Sequence, residues 1–195
     1  MTETTAKPAQ TPAEYWQARS RSIYFYAVTE LVRNLGETAR SVIDIGSASC
    51  PYVDWFDWIP ERTSLDLRKP YVSPTVTGIK ADFLAWAPDR RYDIATCLQV
   101  LEHIPDAHSF AQKILNISKI AIVSVPYKWK PGRNSSHVHD PVDEEKMLAW
   151  FDRKPNFSLQ ITEIVSGSPR LIHVYENGSD IRWRSISQRR KLMAS

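Results

Sequence analysis

The chain has 195 residues and a mass of 22.4 kDa, a length that fits one compact domain. Its 43% hydrophobic and 24% charged residues exclude a largely disordered chain. No apolar run approaches the roughly 20 residues of a membrane-spanning helix, and residues 1–12 lack the apolar centre of a secretory signal. We therefore expect a cytoplasmic protein without membrane association, in which Cys50 and Cys97 are buried thiols rather than a disulfide framework.

The net charge of +3 is unevenly distributed along the chain. Residues 182–195 carry five basic side chains and no acidic one, so residues 1–181 have a net charge of −2. A nucleic-acid-binding protein usually carries its basic patch on the folded body, which argues against nucleic acid as a partner. The domain organisation we expect is a disordered lead at 1–12, a domain at 13–178 and a basic tail at 179–195. Monomer and homodimer both stay open.

The apolar pattern changes from helical to strand-like along the chain. Residues 13–38 have apolar positions at helical spacing and predict an N-terminal helix that stops near Gly36. Short runs rich in β-branched residues predict strands at 41–45, 63–67, 76–79, 92–98 and 120–125. Helices are predicted at 51–58, at 100–117 with a break near Pro105, and at 142–151. Strands at 159–165 and 171–175 flank a short turn and form an antiparallel hairpin.

This order predicts an α/β fold. The sheet is Rossmann-like, doubly wound, mostly parallel and seven-stranded, with helices on both faces and an antiparallel C-terminal hairpin. In such sheets the ligand lies beyond the carboxyl ends of the strands, near the first strand. The residues that follow each strand are therefore the candidates for a binding site.

The residues after the first three predicted strands suit an adenosine without phosphates. A dinucleotide-binding loop needs G-x-G-x-x-G, but its positions are occupied here by Gly46, Ala48 and Pro51, which disfavours NAD. Asp66 lies 22 residues after Asp44, where a carboxylate can accept hydrogen bonds from both ribose hydroxyls. The pair 82–83, an acid beside an aromatic, suits an exocyclic amine and the face of a purine.

Four segments carry a resemblance to a known family: Val42-Ile43-Asp44-Ile45-Gly46, Leu65-Asp66, Ala81-Asp82-Phe83 and Tyr92-Asp93-Ile94-Ala95-Thr96-Cys97-Leu98-Gln99-Val100-Leu101-Glu102-His103-Ile104. Together they resemble the class I S-adenosylmethionine-dependent methyltransferases of the small-molecule type, over about residues 41–175. The resemblance implies S-adenosylmethionine as cofactor. The cofactor-binding residues that it implies are Asp44, Gly46, Ser47, Ala48, Asp66, Asp82, Phe83, Leu98 and Gln99.

The resemblance also implies which part of the cofactor each residue meets. Gly46 and Ser47 would line the methionine moiety, Asp66 the ribose, residues 82–83 the adenine, and residues 98–99 the sulfonium side. The sequence departs from the D-x-G-x-G-x-G loop of the family, because Ala48 and Cys50 occupy the second and third glycine positions.

A long irregular segment, residues 125–141, follows the fifth predicted strand at the mouth of the expected pocket. Tyr127, Trp129 and His137 are the expected substrate-binding residues, since aromatic side chains stack on rings. Two histidines are candidate general bases: His139, which Asp140 would orient, and His103 from the opposite wall. The pattern His137-x-His139-Asp140 contains metal-ligand types without a third ligand at a recognisable spacing, so no metal is predicted.

The predicted function is S-adenosylmethionine-dependent methyl transfer to a small polar acceptor, at a hydroxyl of a saccharide or another biosynthetic metabolite. The helix predicted at 13–38 carries Tyr15, Trp16, Tyr24 and Tyr26 and is a candidate lid. Two alternatives stay open. One is an RNA methyltransferase that grips its substrate with the basic tail, and the other is a non-catalytic scaffold with a degenerate cofactor loop.

Overall fold

The structure, a computed structural model, describes residues 11–164 and 166–177. The expected basic tail and most of the expected N-terminal lead lie outside these residues. Within the described part of the chain, no helix combines the length and the apolar character needed to cross a membrane.

The strands form one seven-stranded sheet. They are β1 (Ser41–Ile45), β2 (Glu61–Asp66), β3 (Val76–Lys80), β4 (Tyr92–Leu98), β5 (Ser118–Pro126), β6 (Phe157–Thr162) and β7 (Pro169–Glu176). Their order in the sheet is β3-β2-β1-β4-β5-β7-β6. The first five strands are parallel, and β7 is antiparallel to both β5 and β6. The predicted mostly parallel sheet with an antiparallel C-terminal hairpin is confirmed.

Within residues 11–164 and 166–177, four α-helices accompany the sheet: α1 (Pro12–Arg19), α2 (Ile23–Leu35), α3 (Ala107–Ile117) and α4 (Glu144–Phe151). Two 3-10 helices, Pro51–Trp55 and Leu101–His103, take the place of the predicted helix at 51–58 and the start of the one at 100–117. Pro105 explains the second difference, because a proline disfavours helical backbone at the preceding residue and Ile104 is extended (φ −95°, ψ 114°).

The prediction of one helix over 13–38 is wrong, because the chain bends between α1 and α2. Ser22 is extended (ψ 130°) and its side chain makes no capping bond. The cap comes instead from the turn before β7: the Glu163 carboxylate accepts hydrogen bonds from the backbone N–H groups of Ile23 (3.1 Å) and Tyr24 (3.3 Å). A carboxylate 140 residues away in sequence therefore fixes where α2 begins.

The core consists of two layers, one on each face of the sheet. Because side chains alternate along a strand, Val42 packs in the layer with α2, whereas Ile43 and Ile45 pack in the layer with α3 and α4. The helical cover is thinner than we expected, since no α-helix occurs in the described connections 67–75 and 81–91. With both faces of β1 buried, the space for a ligand lies at the end of the sheet, beyond the carboxyl ends of the strands.

Candidate active site

A cavity of about 600 Å³ opens at the carboxyl ends of β1, β4 and β5. One wall, which we call the cofactor wall, is formed by residues 46–50 after β1. The opposite wall, which we call the acceptor wall, is formed by residues 102–103 after β4 and by Trp129, Asn134 and His137 after β5. Tyr15, Trp16 and Arg19 of α1 also line the cavity. A volume of this size is in the range of small-molecule sites.

The cofactor wall is a tight loop of left-handed backbone. Gly46 (φ 80°), Ala48 (φ 46°) and Ser49 (φ 64°) all have positive φ. A Cβ atom on Gly46 would lie 2.5 Å from Cγ2 of Val100, so this position requires glycine for both its φ and its space. Cys50, at φ −72°, needs no glycine. The departure of this loop from the family pattern is therefore compatible with its backbone at Cys50 and mildly strained at Ala48.

The side chain of Asp66, at the end of β2, holds this loop in place. Its Oδ2 accepts a hydrogen bond from the N–H of Ala48 (3.0 Å), and its Oδ1 accepts from those of Arg68 (2.7 Å) and Lys69 (2.8 Å). The backbone N–H of Ser49 then donates to the carbonyl of Lys69 (2.7 Å). The end of β2 and the loop after β1 thus form one hydrogen-bonded unit.

Asp44 is buried beneath the same loop, 1% exposed. Its Oδ1 accepts hydrogen bonds from the hydroxyls of Tyr52 and Thr96, the latter at 2.9 Å, while Oδ2 has no hydrogen-bond partner in the described part of the chain. Burial raises the pKa of Asp44 to about 7 in spite of these bonds, because removal from water penalises the charged carboxylate. Asp44 is one of the residues that line the cavity, and a buried acceptor without a partner calls for an explanation.

A polar cluster connects the two walls at the end of β4. The Gln99 side chain accepts a hydrogen bond from the guanidinium of Arg170 and donates one to Oγ of Ser124 (3.1 Å). The guanidinium carbon of Arg170 lies 4.8 Å from the ring centre of Tyr24, whose hydroxyl accepts from Ser124 (3.2 Å). Burial raises the pKa of Tyr24 well above its ordinary value. The neutral phenol and the fixed cation therefore border the cavity together.

On the acceptor wall, His103 presents one free ring nitrogen. Its Nδ1 lies 3.0 Å from the carbonyl oxygen of Ser136, and because a carbonyl only accepts, Nδ1 carries the proton. Nε2 therefore carries the lone pair, 3.9 Å from Oε1 of Glu102. Burial lowers the pKa of His103, which keeps the imidazole neutral near pH 7.

Glu102 beside it is a buried carboxyl group, 1% exposed, and neither of its oxygens has a hydrogen-bond partner among the described residues. Burial raises its pKa to about 8, and the nearby Asp140 acts in the same direction. A carboxyl group that is buried, unpartnered and part of a cavity wall calls for a functional explanation.

His137 and Asp140 form a second buried pair on the acceptor wall. His137 Nδ1 lies 2.8 Å from Oδ2 of Asp140, with the two side chains 3% and 2% exposed. The other ring nitrogen lies 3.0 Å from Nδ2 of Asn134. The orientation of the Asn134 amide is fixed, because its Oδ1 accepts from both N and Oγ of Ser136. His137 therefore carries its proton on Nδ1 and a lone pair on Nε2.

The structure brings together most of the site residues expected from the sequence. Nine of them line the cavity: Asp44, Gly46, Ser47, Ala48, Leu98, Gln99, His103, Trp129 and His137. The others lie elsewhere. Asp66 holds the loop from behind, Asp82 accepts a hydrogen bond from the N–H of Leu84 (2.9 Å), and Tyr127 donates to Glu144 (3.0 Å). Phe83 is 3% exposed, and its ring centre lies 4.5 Å from that of Phe110 in the core.

The expected pairing of His139 with Asp140 is wrong. Nε2 of His139 lies 2.8 Å from the carbonyl oxygen of Ile104, and its ring packs edge-on against Trp150 at 5.1 Å. Asp140 contacts His137 instead. His139 is also outside the cavity lining. Adjacent residues on an irregular loop point in different directions, so neighbours in sequence do not imply contact between side chains.

Several cavity residues had no role in the sequence-based prediction: Arg19, Lys69, Glu102 and Arg170. Arg170 could have been found from the hairpin register, since it pairs with Pro126 at the carboxyl end of β5. Glu102 belongs to the motif that carries the family resemblance, but nothing in the sequence shows that it is buried without a partner.

Comparison with known proteins supports the interpretation of this geometry. The sequence profile of a methyltransferase domain matches residues 16–159, most of the chain. No curated protein matches the chain in sequence. Among solved structures, the chain is similar to the 1,6-didemethyltoxoflavin-N1-methyltransferase of Burkholderia thailandensis, determined with 1,6-didemethyltoxoflavin and S-adenosylhomocysteine. The identity is 18%, the TM-score is 0.64, and the match covers 88% of this chain and 92% of that one.

Two further structures are similar in fold. The N-methyltransferase NodS of Bradyrhizobium japonicum WM9, in complex with S-adenosylhomocysteine, has 12% identity and a TM-score of 0.62, with 79% of this chain and 87% of that one covered. CalS10 of Micromonospora echinaspora, an amino pentose methyltransferase with bound S-adenosylmethionine, has 11% identity and a TM-score of 0.59, with 88% and 99% covered. The profile match, the strand order and the loop after β1 all agree. The chain therefore belongs to the methyltransferase domain family and is a class I S-adenosylmethionine-dependent methyltransferase.

Proposed function

We propose that this enzyme methylates a hydroxyl group of a small polar acceptor, a saccharide or a similar biosynthetic metabolite. One observation carries the proposal: a single cavity has a glycine-dependent loop on one wall and Trp129, His103 and His137 on the other. Trp129 and His137, with ring centres 5.6 Å apart, bring aromatic surface to the cavity wall, and the guanidinium of Arg133 lies over the Trp129 ring at 4.0 Å. The amino pentose acceptor named for CalS10 is in keeping with such a substrate.

The proposed cofactor position follows from the cofactor wall. Gly46, Ser47 and Ala48 would contact the methionine part, and the free oxygen of Asp44 would accept a hydrogen bond from the cofactor. Arg19 and Lys69, both at the cavity, would offer positive charge to its carboxylate. Asp66 would hold the ribose while it holds the loop.

In the proposed reaction the acceptor oxygen attacks the methyl carbon in line with the sulfonium. A C–O bond forms, the C–S bond breaks, and its electron pair stays on sulfur, which gives neutral S-adenosylhomocysteine. The proton of the hydroxyl must leave, and the Nε2 lone pair of His103 is the group that we propose acts on that hydroxyl. Most of the acceleration would come from the alignment of the two substrates in the cavity.

We also propose that α1 covers the cofactor. The indole N–H of Trp16 donates a hydrogen bond to the carbonyl of Ala48 (3.2 Å), so α1 contacts the cofactor loop directly. Together with Tyr15 and Arg19, it forms the outer side of the cavity. The bend between α1 and α2 allows α1 to lie over the loop after β1. A straight helix over residues 13–38 would not allow this.

The proposed acceptor is tested with a panel of sugars, sugar nucleotides and other hydroxylated metabolites, with formation of S-adenosylhomocysteine as the readout. His103→Ala should lower kcat by about 100-fold or more, while the affinity for S-adenosylhomocysteine changes less than about twofold. His139→Ala is the matched control, because this histidine lies on the same side of the fold and outside the cavity. Methyl transfer to RNA with steep salt dependence, and to no small hydroxylated compound, would contradict the proposed acceptor class.

A further inference from the structure

The acceptor wall contains three metal-ligand types that converge on one point. Glu102, His103 and His137 each offer one ligand atom, and these atoms all lie within 4.8 Å of one another. Two ligands about 2.1 Å from the same ion, at a tetrahedral angle, lie about 3.4 Å apart. Rotations of the three side chains that shorten their separations by about 0.5–1.4 Å would thus close the site around an ion.

The hydrogen-bond partners of the two histidines are those that metal-binding histidines have. His103 donates from Nδ1 to the carbonyl of Ser136, and His137 donates from Nδ1 to the carboxylate of Asp140. Each bond places the ring proton on Nδ1 and leaves Nε2 as the ligand atom. An ion at this point would replace the Asn134 amide as the partner of His137 Nε2.

Glu102 supplies the independent sign that a ligand belongs here. Its side chain is 1% exposed and both of its oxygens lack a partner among the described residues. Oδ1 of Asp140, behind His137, lacks one as well. The positive charge of Arg170 acts electrostatically on Glu102, but Arg170 already interacts with Gln99 and with Glu163, the latter at 3.9 Å. A divalent cation would compensate the buried carboxylates and satisfy the orphaned oxygens of Glu102.

We propose that Glu102, His103 and His137 bind a divalent transition-metal ion at the acceptor wall. Two imidazoles and one carboxylate suit Mn²⁺, Fe²⁺, Co²⁺ or Zn²⁺ and leave coordination positions open to the cavity. This deepens the proposed function and rests on it in one respect: the open positions would take the acceptor hydroxyl, which selects acceptors with two adjacent oxygen atoms able to chelate the ion. His103 then acts on the hydroxyl through the ion instead of accepting its proton directly: a bound metal would make the hydroxyl more acidic, and its proton would pass to solvent water.

The test is a calorimetric titration of the full-length protein, freed of metal with EDTA, with MnCl₂, CoCl₂ or ZnCl₂ alone. We expect one ion per chain with micromolar or tighter affinity. Co²⁺ bound by two imidazoles should also give a visible absorption spectrum that free Co²⁺ lacks. Glu102→Gln and His137→Asn should each weaken binding by at least about tenfold, and His139→Asn, a histidine two residues away on the same loop, should leave it within about twofold.

Binding of S-adenosylhomocysteine to the same samples reports whether each variant is folded and separates two kinds of failure. Wild-type protein that binds S-adenosylhomocysteine but takes up none of the three ions at millimolar concentration would overturn the metal site and leave the methyltransferase function intact. Metal binding unchanged in both Glu102→Gln and His137→Asn would also overturn it. If metal binds and EDTA leaves methyl transfer unchanged, the proposed role of the ion toward the acceptor is wrong.

Discussion

The cofactor wall and the acceptor wall are built by different means. The cofactor wall is formed mainly by backbone. Positive φ at Gly46, Ala48 and Ser49 shapes the loop, and Asp66 holds it through hydrogen bonds from backbone N–H groups. The acceptor wall is formed by side chains from separate segments, and Glu102 lies close to His137 although they are 35 residues apart in sequence. The residues that line the first wall are contiguous in sequence, although Asp66 on the neighbouring strand holds them, whereas those of the second come from separate segments and meet only after the sheet has formed.

This difference has a consequence for how the walls should respond to substitution. Damage to the loop should abolish cofactor binding without any change in the acceptor-side groups. Damage to the acceptor wall should alter stability and turnover while S-adenosylhomocysteine still binds. Each of the following variants is chosen to break one wall and to measure what happens at the other.

The largest effect is expected for Gly46→Ala. The new Cβ would lie 2.5 Å from Cγ2 of Val100 and would occupy a backbone with φ 80°. Left-handed strain alone costs about 1–2 kcal/mol, and the clash must also move Val100 or the loop. We expect the affinity for S-adenosylhomocysteine, measured by calorimetry, to fall by about 100-fold or more.

Gly167→Ala is the matched control for this variant. Gly167 also has positive φ (61°), but nothing lies within 4 Å of its Cβ position, and it is in the turn before β7. It should show the strain without the clash, with cofactor affinity within about twofold of the wild type. An equal loss of affinity in both variants would show that the cofactor wall does not depend on the close approach of Gly46 to Val100.

The contrast between the walls also explains which parts of the molecule could be predicted from the sequence. The bounds of β1 and β4 were predicted to the residue, because short apolar runs that end in glycine or polar residues are local signals. Gly46 was identified for the same reason. The bend before α2 was missed, since it depends on Glu163, and so was the Glu102 cluster, since burial and the lack of a partner are properties of the folded chain. His139 was misassigned because sequence adjacency to Asp140 was taken for contact.

A smaller effect, measured as stability, is expected for Asp140→Ala on the acceptor wall. The substitution leaves the buried Nδ1–H of His137 without an acceptor, which costs about 1–3 kcal/mol. At this chain length the melting temperature should fall by about 2–4 °C per kcal/mol. Binding of S-adenosylhomocysteine should not change, because the cofactor wall makes no use of Asp140.

His108→Ala is the comparison for that loss, since His108 forms a pair with Asp152 of the same 2.8 Å length in which both side chains are more than half exposed. An exposed pair contributes at most about 1 kcal/mol. Equal falls in melting temperature for Asp140→Ala and His108→Ala would show that burial adds nothing to the contribution of the His137–Asp140 pair to stability. That result would contradict our interpretation of this pair.

The pH dependence of stability provides a third test, on Asp44. The pKa of about 7 in the folded protein is above the ordinary value of 3.8, so the folded state binds a proton in this range that the unfolded state does not. Stability contributed by the neutral form is full below pH 4 and is lost as the pH rises toward 7, by up to about 1.4 kcal/mol per pH unit. Asp44→Asn has no such group, so the difference in melting temperature between the two proteins should shift in favour of the variant from pH 5 to pH 7. A difference independent of pH would rule out the raised pKa.

The smallest effect is expected for Trp16→Phe, which tests the contact of α1 with the cofactor wall. The substitution keeps an aromatic ring and removes the N–H that donates to the Ala48 carbonyl at 3.2 Å. A neutral hydrogen bond of this kind contributes about 0.5–1.5 kcal/mol, and because it already positions α1 over the loop in the ligand-free protein, its loss should lower the affinity for S-adenosylhomocysteine by at most about tenfold. Trp58→Phe is the matched control, because the Trp58 indole N–H donates to the carbonyl of Gly36 at a similar 3.3 Å, away from the cavity. A lower affinity in Trp16→Phe alone would show that α1 contributes to the cofactor site. Equal affinities in the two variants would show that α1 packs on the domain without contributing to cofactor binding.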